Sequence, residues 1–530
     1  MAAPGRGTPT AVRTLARAGL LRPPRPDRLL ALARALRHWG PTYAGGFAAA
    51  AARHPRRPCV IDDRGRLTWA DVDRRSNAIA HALARRGIRA GDVVGVACRN
   101  HRGFVEATAA LAKVGADIAY LNTGFAGPQL REVLAREGAV ALVADEEFVA
   151  ALGDDSPVRF VILARGDAPG RPTLSRLAEE GPSGPPPAPE RPGRSIILTS
   201  GTTGAPKGAP RPQTSGMGPV IAMLERIPYR EGDTMVVPAP LFHSWGFGNL
   251  SLGLVLGATF VLRPHFDPEA VLADVARHRA QVLVAVPVML QRILDLPAKV
   301  RARYDTSSLR IVPLSGSAIP SGLATRWMDT FGDNLYNLYG STEVGWATIA
   351  TPADLRADPA TAGRPPLHTV VRVLDDENRE VPPGVTGRIF VGSDLVFEGY
   401  TGGGSKPVVD GLMSTGDTGW FDTAGRLHVA GREDEMIVSG GENVFPREVE
   451  DLLVAHPAIS EAAVVGVDDA EFGQRLRAVV VLAPGATMTA EEVRDHVRAN
   501  LARFKVPRDV VFVDALPRNP TGKVLKRELR

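Results

Sequence analysis

Apolar and polar positions follow more than one rhythm along this chain, and the changes of rhythm mark its parts. From about residue 58 to 165, apolar runs such as Val93-Val94-Gly95-Val96-Ala97 are separated by stretches with helical spacing, as over residues 70–86. A further run over 160–163 closes the region. Strand and helix in such alternation predict parallel sheets covered by helices. A proline- and glycine-rich tract over 181–193 then interrupts the pattern and reads as an exposed connector. The alternation resumes with strands expected at 234–237, 259–262, 282–286 and 310–314. After about residue 366 the strands become short and turn-linked, at 370–374, 387–391 and 427–430, which predicts a smaller β-rich subdomain. Beyond Arg432 a compact α+β unit is expected, with helix 446–455, strands 461–467 and 476–482, helix 490–501 and strand 510–513.

The predicted class is therefore α/β. A large N-terminal domain of helix-covered, mainly parallel sheets carries the β-rich subdomain, and a small α+β C-terminal domain follows, which the resemblance given below implies to be mobile. At 530 residues the chain is too long for one ordinary core. The expected divisions are a basic extension over 1–44, a main domain over 45–431 and a C-terminal domain over 432–530.

Composition changes this picture little, since 44% hydrophobic and 23% charged residues suit an ordinary folded protein. Charge changes it locally. The net charge of +5 is small for the length, yet Arg6, Arg13, Arg17, Arg22, Arg25, Arg28, Arg34, Arg37, Arg53, Arg56 and Arg57 meet only Asp27. This excess reads as a solvated basic face or a weak contact with anionic lipid, and not as a nucleic-acid site. Residues 10–21, with Val12, Leu15, Ala16 and Leu20 near one face, are expected to form a terminal helix packed on the surface. A mitochondrial transit peptide has a similar look. Cys59 and Cys98 are too few for a disulfide framework, which points to a reduced compartment. No apolar run approaches the roughly eighteen residues of a membrane span. A cytoplasmic protein is expected, with peripheral contact at the inner membrane face as an option; the pattern carries no oligomeric state.

The chemistry gathers in a few polar clusters. Thr199-Ser200-Gly201-Thr202-Thr203-Gly204-Ala205-Pro206-Lys207-Gly208 follows the apolar run Ile196-Ile197-Leu198. Its glycines let backbone N–H groups approach a polyphosphate, its hydroxyls add donors, and Lys207 adds a point charge. Pro206 and Gly208 flank the lysine, so this is not a Walker A loop. Tyr339-Gly340-Ser341-Thr342-Glu343 offers a carboxylate to a hard divalent cation, which prefers oxygen ligands. Ser414-Thr415-Gly416-Asp417 supplies an acceptor-only carboxylate that can take two donors at once. Fifteen residues beyond Asp417 stands Arg432, in Gly431-Arg432-Glu433-Asp434. Three more segments complete the set: Ser315-Gly316-Ser317-Ala318, Ser439-Gly440-Gly441-Glu442-Asn443-Val444-Phe445-Pro446, and Pro517-Arg518-Asn519-Pro520-Thr521-Gly522-Lys523.

In this order, over residues 45–530, the motifs resemble those of the adenylate-forming superfamily of acyl-CoA synthetases, luciferases and adenylation domains. Within it they are most similar to bacterial fatty acid–CoA ligases. The resemblance implies ATP, Mg2+ and coenzyme A. It implies that Thr199, Ser200, Gly201, Thr202, Thr203, Gly204 and Lys207 hold the phosphates, and that Gly316, Ser317, Ala318, Tyr339, Gly340 and Ser341 surround the adenine. Thr342 would reach the α-phosphate, Glu343 and Thr202 would hold magnesium, Asp417 would take the ribose, and Arg432 would contact ribose or phosphate. Asp434 matches the hinge, Gly440, Gly441, Glu442 and Asn443 the loop facing the pantetheine arm, and Lys523 the lysine of adenylation.

Pro240-Leu241-Phe242-His243-Ser244-Trp245-Gly246-Phe247 bears on the substrate. Amino-acid-activating relatives place an aspartate after the phenylalanine to pair with the ammonium; this chain has His243, and an unpaired ion in an apolar pocket is costly. His243 resembles the gating aromatic of acyl-CoA synthetases. His243, Trp245, Phe247, Val286 and Met289, with Gly316, are the expected acyl pocket. The expectation is an ATP-dependent ligase that converts a medium- or long-chain carboxylic acid to acyl-AMP and then to its CoA thioester. The alternatives are a fatty acyl-AMP ligase loading a carrier protein, an aryl- or short-chain-acid CoA ligase, and a non-catalytic acyl-binding protein.

Overall fold

The computed structural model describes residues 7–153, 156–167, 170–199, 207–211, 216–320, 322–397, 399–439, 442–469, 473–520 and 522–530. Two parallel-rich sheets form its centre. The first runs, in spatial order, Phe160–Arg165, Ala139–Asp145, Val93–Ala97, Asp117–Tyr120, Ser195–Thr199 and Lys207–Arg211. All neighbours are parallel except the last pair. Covering on both faces explains why Val93–Ala97 is apolar throughout, with no in–out alternation. The second sheet orders Val282–Leu283, Thr234–Val236, Thr259–Val261, Pro58–Asp62 and Gly65–Thr68, with only the closing hairpin antiparallel.

Local chemistry sets the helices between them. Trp69–Arg85 starts on a capping box in which Thr68 and Asp71 satisfy each other's backbone N–H groups. Arg102–Val114 stops at Gly115, whose φ of 80° suits glycine. One continuous apolar core joins both sheets and the long helix Ser244–Leu256.

A three-stranded sheet of Val312–Leu314, Leu335–Ser341 and Gly345–Ala350 follows, then an antiparallel five-stranded sheet built on Leu412–Phe421. The last sheet gathers Ile437–Ser439, Glu442–Val444, Ile459–Asp469, Gly473–Leu482 and Asp509–Phe512. With helices Pro446–Val454 and Ala490–Asn500 it has its own core, including Val464, Val480, Val493 and Val497.

Several expectations are revised. The tract 181–193 is a strap rather than a free linker, since Asn77 Nδ2 donates to the Ser183 carbonyl at 2.9 Å and His38 Nε2 meets the Pro186 carbonyl at 2.9 Å. The strand expected over 282–286 is only Val282–Leu283, beyond which Ala285 makes a single bridge to Leu314. The first helix is Gly7–Arg17 and ends before Gly19, whose φ is 84°. Two helices unforeseen in the arginine-rich stretch, Pro26–Trp39 and Tyr43–Arg53, pack on each other and, through Tyr43–Arg53, on the main domain. Cys59 and Cys98 are buried and free. No helix among the described residues is long and apolar enough to cross a membrane.

Candidate active site

The polar clusters sit where strands end. Ser195–Thr199 and Lys207–Arg211 form a hairpin in which Thr199 faces Lys207, so residues 200–206 are its connection. Ser200, Gly201, Thr202, Thr203 and Gly204 lie outside the described residues. Lys207 Nζ stands 5.4 Å from the centre of the Tyr400 ring.

Next to this hairpin, the strand Leu335–Ser341 carries Tyr339 and leads into Thr342 and Glu343. Gly340 is required there, because a Cβ would lie 2.0 Å from the carbonyl oxygen of Gly345 on the returning strand. Glu343 is 9% exposed, and its Oε1 accepts the Tyr400 hydroxyl at 2.8 Å. Among the described residues it makes no ion pair. A nearly buried carboxylate with a neutral partner is suited to a cation supplied from outside the chain, and one carboxylate plus phosphates is a usual Mg2+ environment. The three-group cluster found among the described residues, Asp358, Asp422 and His428, does not include Glu343, and Asp422 Oδ2 is already bonded to Arg426 Nε at 2.7 Å.

Asp417 and Arg432 are exact opposites only in the sense of register: their Cα positions pair across Leu412–Phe421 and Leu427–Arg432, which gives the fifteen-residue spacing its structural meaning. Arg432 Nε lies 3.8 Å from Asp417 Oδ1. Asp417 Oδ2 accepts the Tyr339 hydroxyl at 2.6 Å, so the expected adenine and ribose motifs are joined directly. Burial raises the pKa of Asp417, against the bond from Tyr339 and the charges of Arg432, Lys406 and Lys523. Gly316, at φ 97°, Ser317 and Ala318 form an accessible turn, and a Cβ at Gly316 would be 3.5 Å from Val286 Cγ1.

His243 precedes the helix Ser244–Leu256 and is partly buried. Burial pushes its pKa down to about 4, and the charge of Lys523 adds to the effect. The ring is therefore neutral near pH 7 and offers no counter-charge to an ammonium. Phe247 packs between Tyr43 and Tyr120, at ring-centre distances of 5.3 and 4.6 Å. Trp245 is fixed by its Nε1 donating to the Ala285 carbonyl at 3.0 Å. Val286 and Met289 are also buried.

Lys523 has an exposed side chain, yet its charge is felt by both His243 and Asp417, which places it at the mouth of the cleft. Its neighbour Gly522 has φ 82°, and a Cβ there would be 2.5 Å from Val288 Cγ1. Of the expected pantetheine loop, Gly440 and Gly441 lie outside the described residues, and Glu442 and Asn443 are placed by backbone alone, in a hairpin with Ser439 and Val438. Asp434 falls in the short turn Glu433–Glu435.

Four participants were not foreseen. Tyr400 bonds Glu343, and Lys406 Nζ donates to the Thr415 carbonyl at 3.0 Å beside Asp417. Ser244 Oγ is 3.5 Å from Thr342 Oγ1, and Arg211 Nη2 donates to the Thr342 carbonyl at 2.8 Å. The available signal was Arg211 itself, a charge at the end of a strand on the sheet's edge.

A nearly buried carboxylate, a Tyr–Asp–Arg cluster and a lysine presented by a separate small unit suit an enzyme that activates an acid on a nucleotide. The chain belongs to the AMP-binding enzyme family, which it matches over residues 47–401, with the AMP-binding enzyme C-terminal domain over 448–523. It is 33% identical over 469 residues to a feruloyl-CoA synthase of Amycolatopsis sp, covering 88% of this chain and 93% of that one. To an indoleacetate–CoA ligase of Aromatoleum aromaticum it is 34% identical over 480 residues, 88% and 92% of the two chains. The crystal structure of the anthranilate CoA ligase AuaEII with anthranoyl-AMP superposes with a TM-score of 0.84 at 26% identity, covering 92% of this chain and 96% of that one. The protein is accordingly an AMP-forming acid–thiol ligase using ATP, Mg2+ and CoA.

Proposed function

We propose that the acid is aromatic or fused-ring rather than a medium- or long-chain fatty acid. The observation that carries this reading is the set of fixed rings that follows His243. Phe247 is held between two tyrosines and Trp245 is pinned through its indole N–H, so an acid pocket built on them would present stiff rings rather than adaptable aliphatic chains. The aromatic acids named for its relatives support it and favour the aryl-acid alternative over the fatty-acid expectation.

In the proposed first step the acid's carboxylate attacks the α-phosphorus of ATP and pyrophosphate leaves, giving acyl-AMP. Thr342 and Lys523 stabilise charge on the phosphoryl oxygens, Asp417 and Arg432 hold the ribose, and Tyr339 fixes Asp417 while lining the adenine. Glu343, with Thr202, would hold Mg2+, which supplies Lewis-acid neutralisation of phosphate charge. His243 closes the acid pocket as a neutral gate. For the second step the C-terminal domain turns about Asp434, withdrawing Lys523 and bringing the loop at Gly440, Gly441, Glu442 and Asn443 to the cleft, where the CoA thiol, losing its proton, attacks the acyl carbon of the mixed anhydride and AMP leaves as the acyl C–O bond breaks. We place the enzyme in the cytoplasm, with the arginine-rich N-terminal helices available for weak contact with a membrane surface.

The test is pyrophosphate release by the purified protein, with ATP and CoA, across ferulate, indole-3-acetate, anthranilate, benzoate, saturated fatty acids of graded length and amino acids. The ring acids are expected to show the highest kcat/KM, with thioester as product. A chain-length optimum among the fatty acids that exceeds every ring acid would overturn the reading.

A further inference from the structure

Arg211 has no role in the chemistry described so far, and its surroundings are unusual for a charged group. Its Nε is sealed from solvent and has no hydrogen-bond partner, while the residue as a whole keeps some accessible surface. The bond from Nη2 to the Thr342 carbonyl uses one of five donors, and among the described residues Arg211 makes no ion pair. Burying a guanidinium against a single neutral acceptor is unfavourable unless an anion completes the site.

Position indicates which anion. Arg211 pairs with Ser195, and Ser195 with Ile118, two residues from Tyr120 on the same strand; residues two apart share a sheet face. Arg211 is therefore on the face where Tyr120 carries Phe247, and Tyr43 and Glu343 are close enough to influence its charge. It stands between the Thr342–Glu343 turn and the rings of Tyr120 and Phe247, where the proposed function puts the acid. At that junction the reacting carboxylate must meet the α-phosphate. An anion approaching a triphosphate is repelled, and Lys523 lies at the cleft mouth. A cation on the acid's side offsets that repulsion.

We propose that Arg211 binds the carboxylate of the incoming acid and orients it for attack on the α-phosphorus. It is a substrate-binding residue for the first half-reaction, and the idea does not depend on which acid is used.

The test compares wild type with Arg211→Met, which keeps length and removes charge, and Arg211→Lys, which keeps charge. KM for the best acid and KM for ATP are measured separately by pyrophosphate release, together with inhibition by the neutral carboxamide of the same acid. In Arg211→Met the acid KM is expected to rise about ten- to hundredfold, and the preference for carboxylate over carboxamide to fall by the same factor. Arg211→Lys is expected to retain most of that preference even where Arg211→Met folds poorly. Equal rises in both KM values, or an unchanged carboxylate preference in Arg211→Met, would reduce Arg211 to a brace for Thr342. If ring acids fail in the panel but another acid turns over, the substrate reading falls and this experiment proceeds with that acid. Absence of carboxylate preference in the wild type would sink the proposal outright.

Discussion

The charge of Lys523 reaches two groups far away in sequence, His243 and Asp417, and this convergence governs what single substitutions should do. Lys523→Ala is expected to slow acyl-AMP formation about 10²–10³-fold, the usual effect of removing one charge-stabilising donor. Thioester formation from preformed acyl-AMP should fall far less; comparable losses in single-turnover assays of both halves would contradict the assignment. His243 gives a second handle. Its pKa is near 4 when folded and near 6.5 when unfolded, so the unfolded chain binds more protons between those values. Stability should therefore be full above about pH 6.5, fall as the pH drops, and level off below about 4, a total of roughly 3 kcal/mol. Urea unfolding across that range should show the slope in wild type and a shallower one in His243→Leu. The motif residues were legible because their chemistry is local: glycines, hydroxyls and a carboxylate in fixed order. Arg211, Tyr400 and Lys406 were not, since Arg211 meets Thr342 across 131 residues and Tyr400 meets Glu343 across 57.

Pairing of strands turns those spacings into a site. The register that sets Asp417 against Arg432 follows from a short antiparallel turn, which sequence spacing carries well. The hairpin of Leu335–Ser341 with Gly345–Ala350 presents Thr342 and Glu343, and its tightest point is Gly340. Gly340→Ala should push the two strands apart, costing about 1–3 kcal/mol of stability and raising the KM for ATP. Urea denaturation and nucleotide titration would test this; full stability with unchanged KM would show that the strands adapt. Strand ends were less legible. Over 282–286 the apolar run continues through Val284, Ala285 and Val286, but the regular strand ends at Leu283, Ala285 keeps only an isolated bridge to Leu314, and Val286 precedes the helix Pro287–Leu294. The helix Pro26–Trp39 was hidden by its arginines and Tyr43–Arg53 by its run of glycine and alanine, although their inner faces bury Trp39 and Phe47.

How the C-terminal unit meets the rest was not legible at all, because no periodicity records which surface a distant loop will touch. The structure joins Gly522 to the start of the helix Pro287–Leu294: a Cβ at Gly522 would lie 3.6 Å from Val288 Cβ. That separation falls within the range of disulfide-linked cysteines, roughly 3.5–4.5 Å. The double variant Val288→Cys/Gly522→Cys should therefore cross-link on oxidation, and the native Cys59 and Cys98 are buried and should not compete. Gly522 has φ 82°, so the reduced double variant serves as the control for strain. If the domain must turn before CoA can react, the oxidised form should still make acyl-AMP and pyrophosphate in a single turnover. It should fail to make thioester until a reductant is added. Thioester formation by the fully cross-linked protein, confirmed by mass spectrometry, would mean that both half-reactions run in the arrangement seen here, and the proposed rotation about Asp434 would be abandoned.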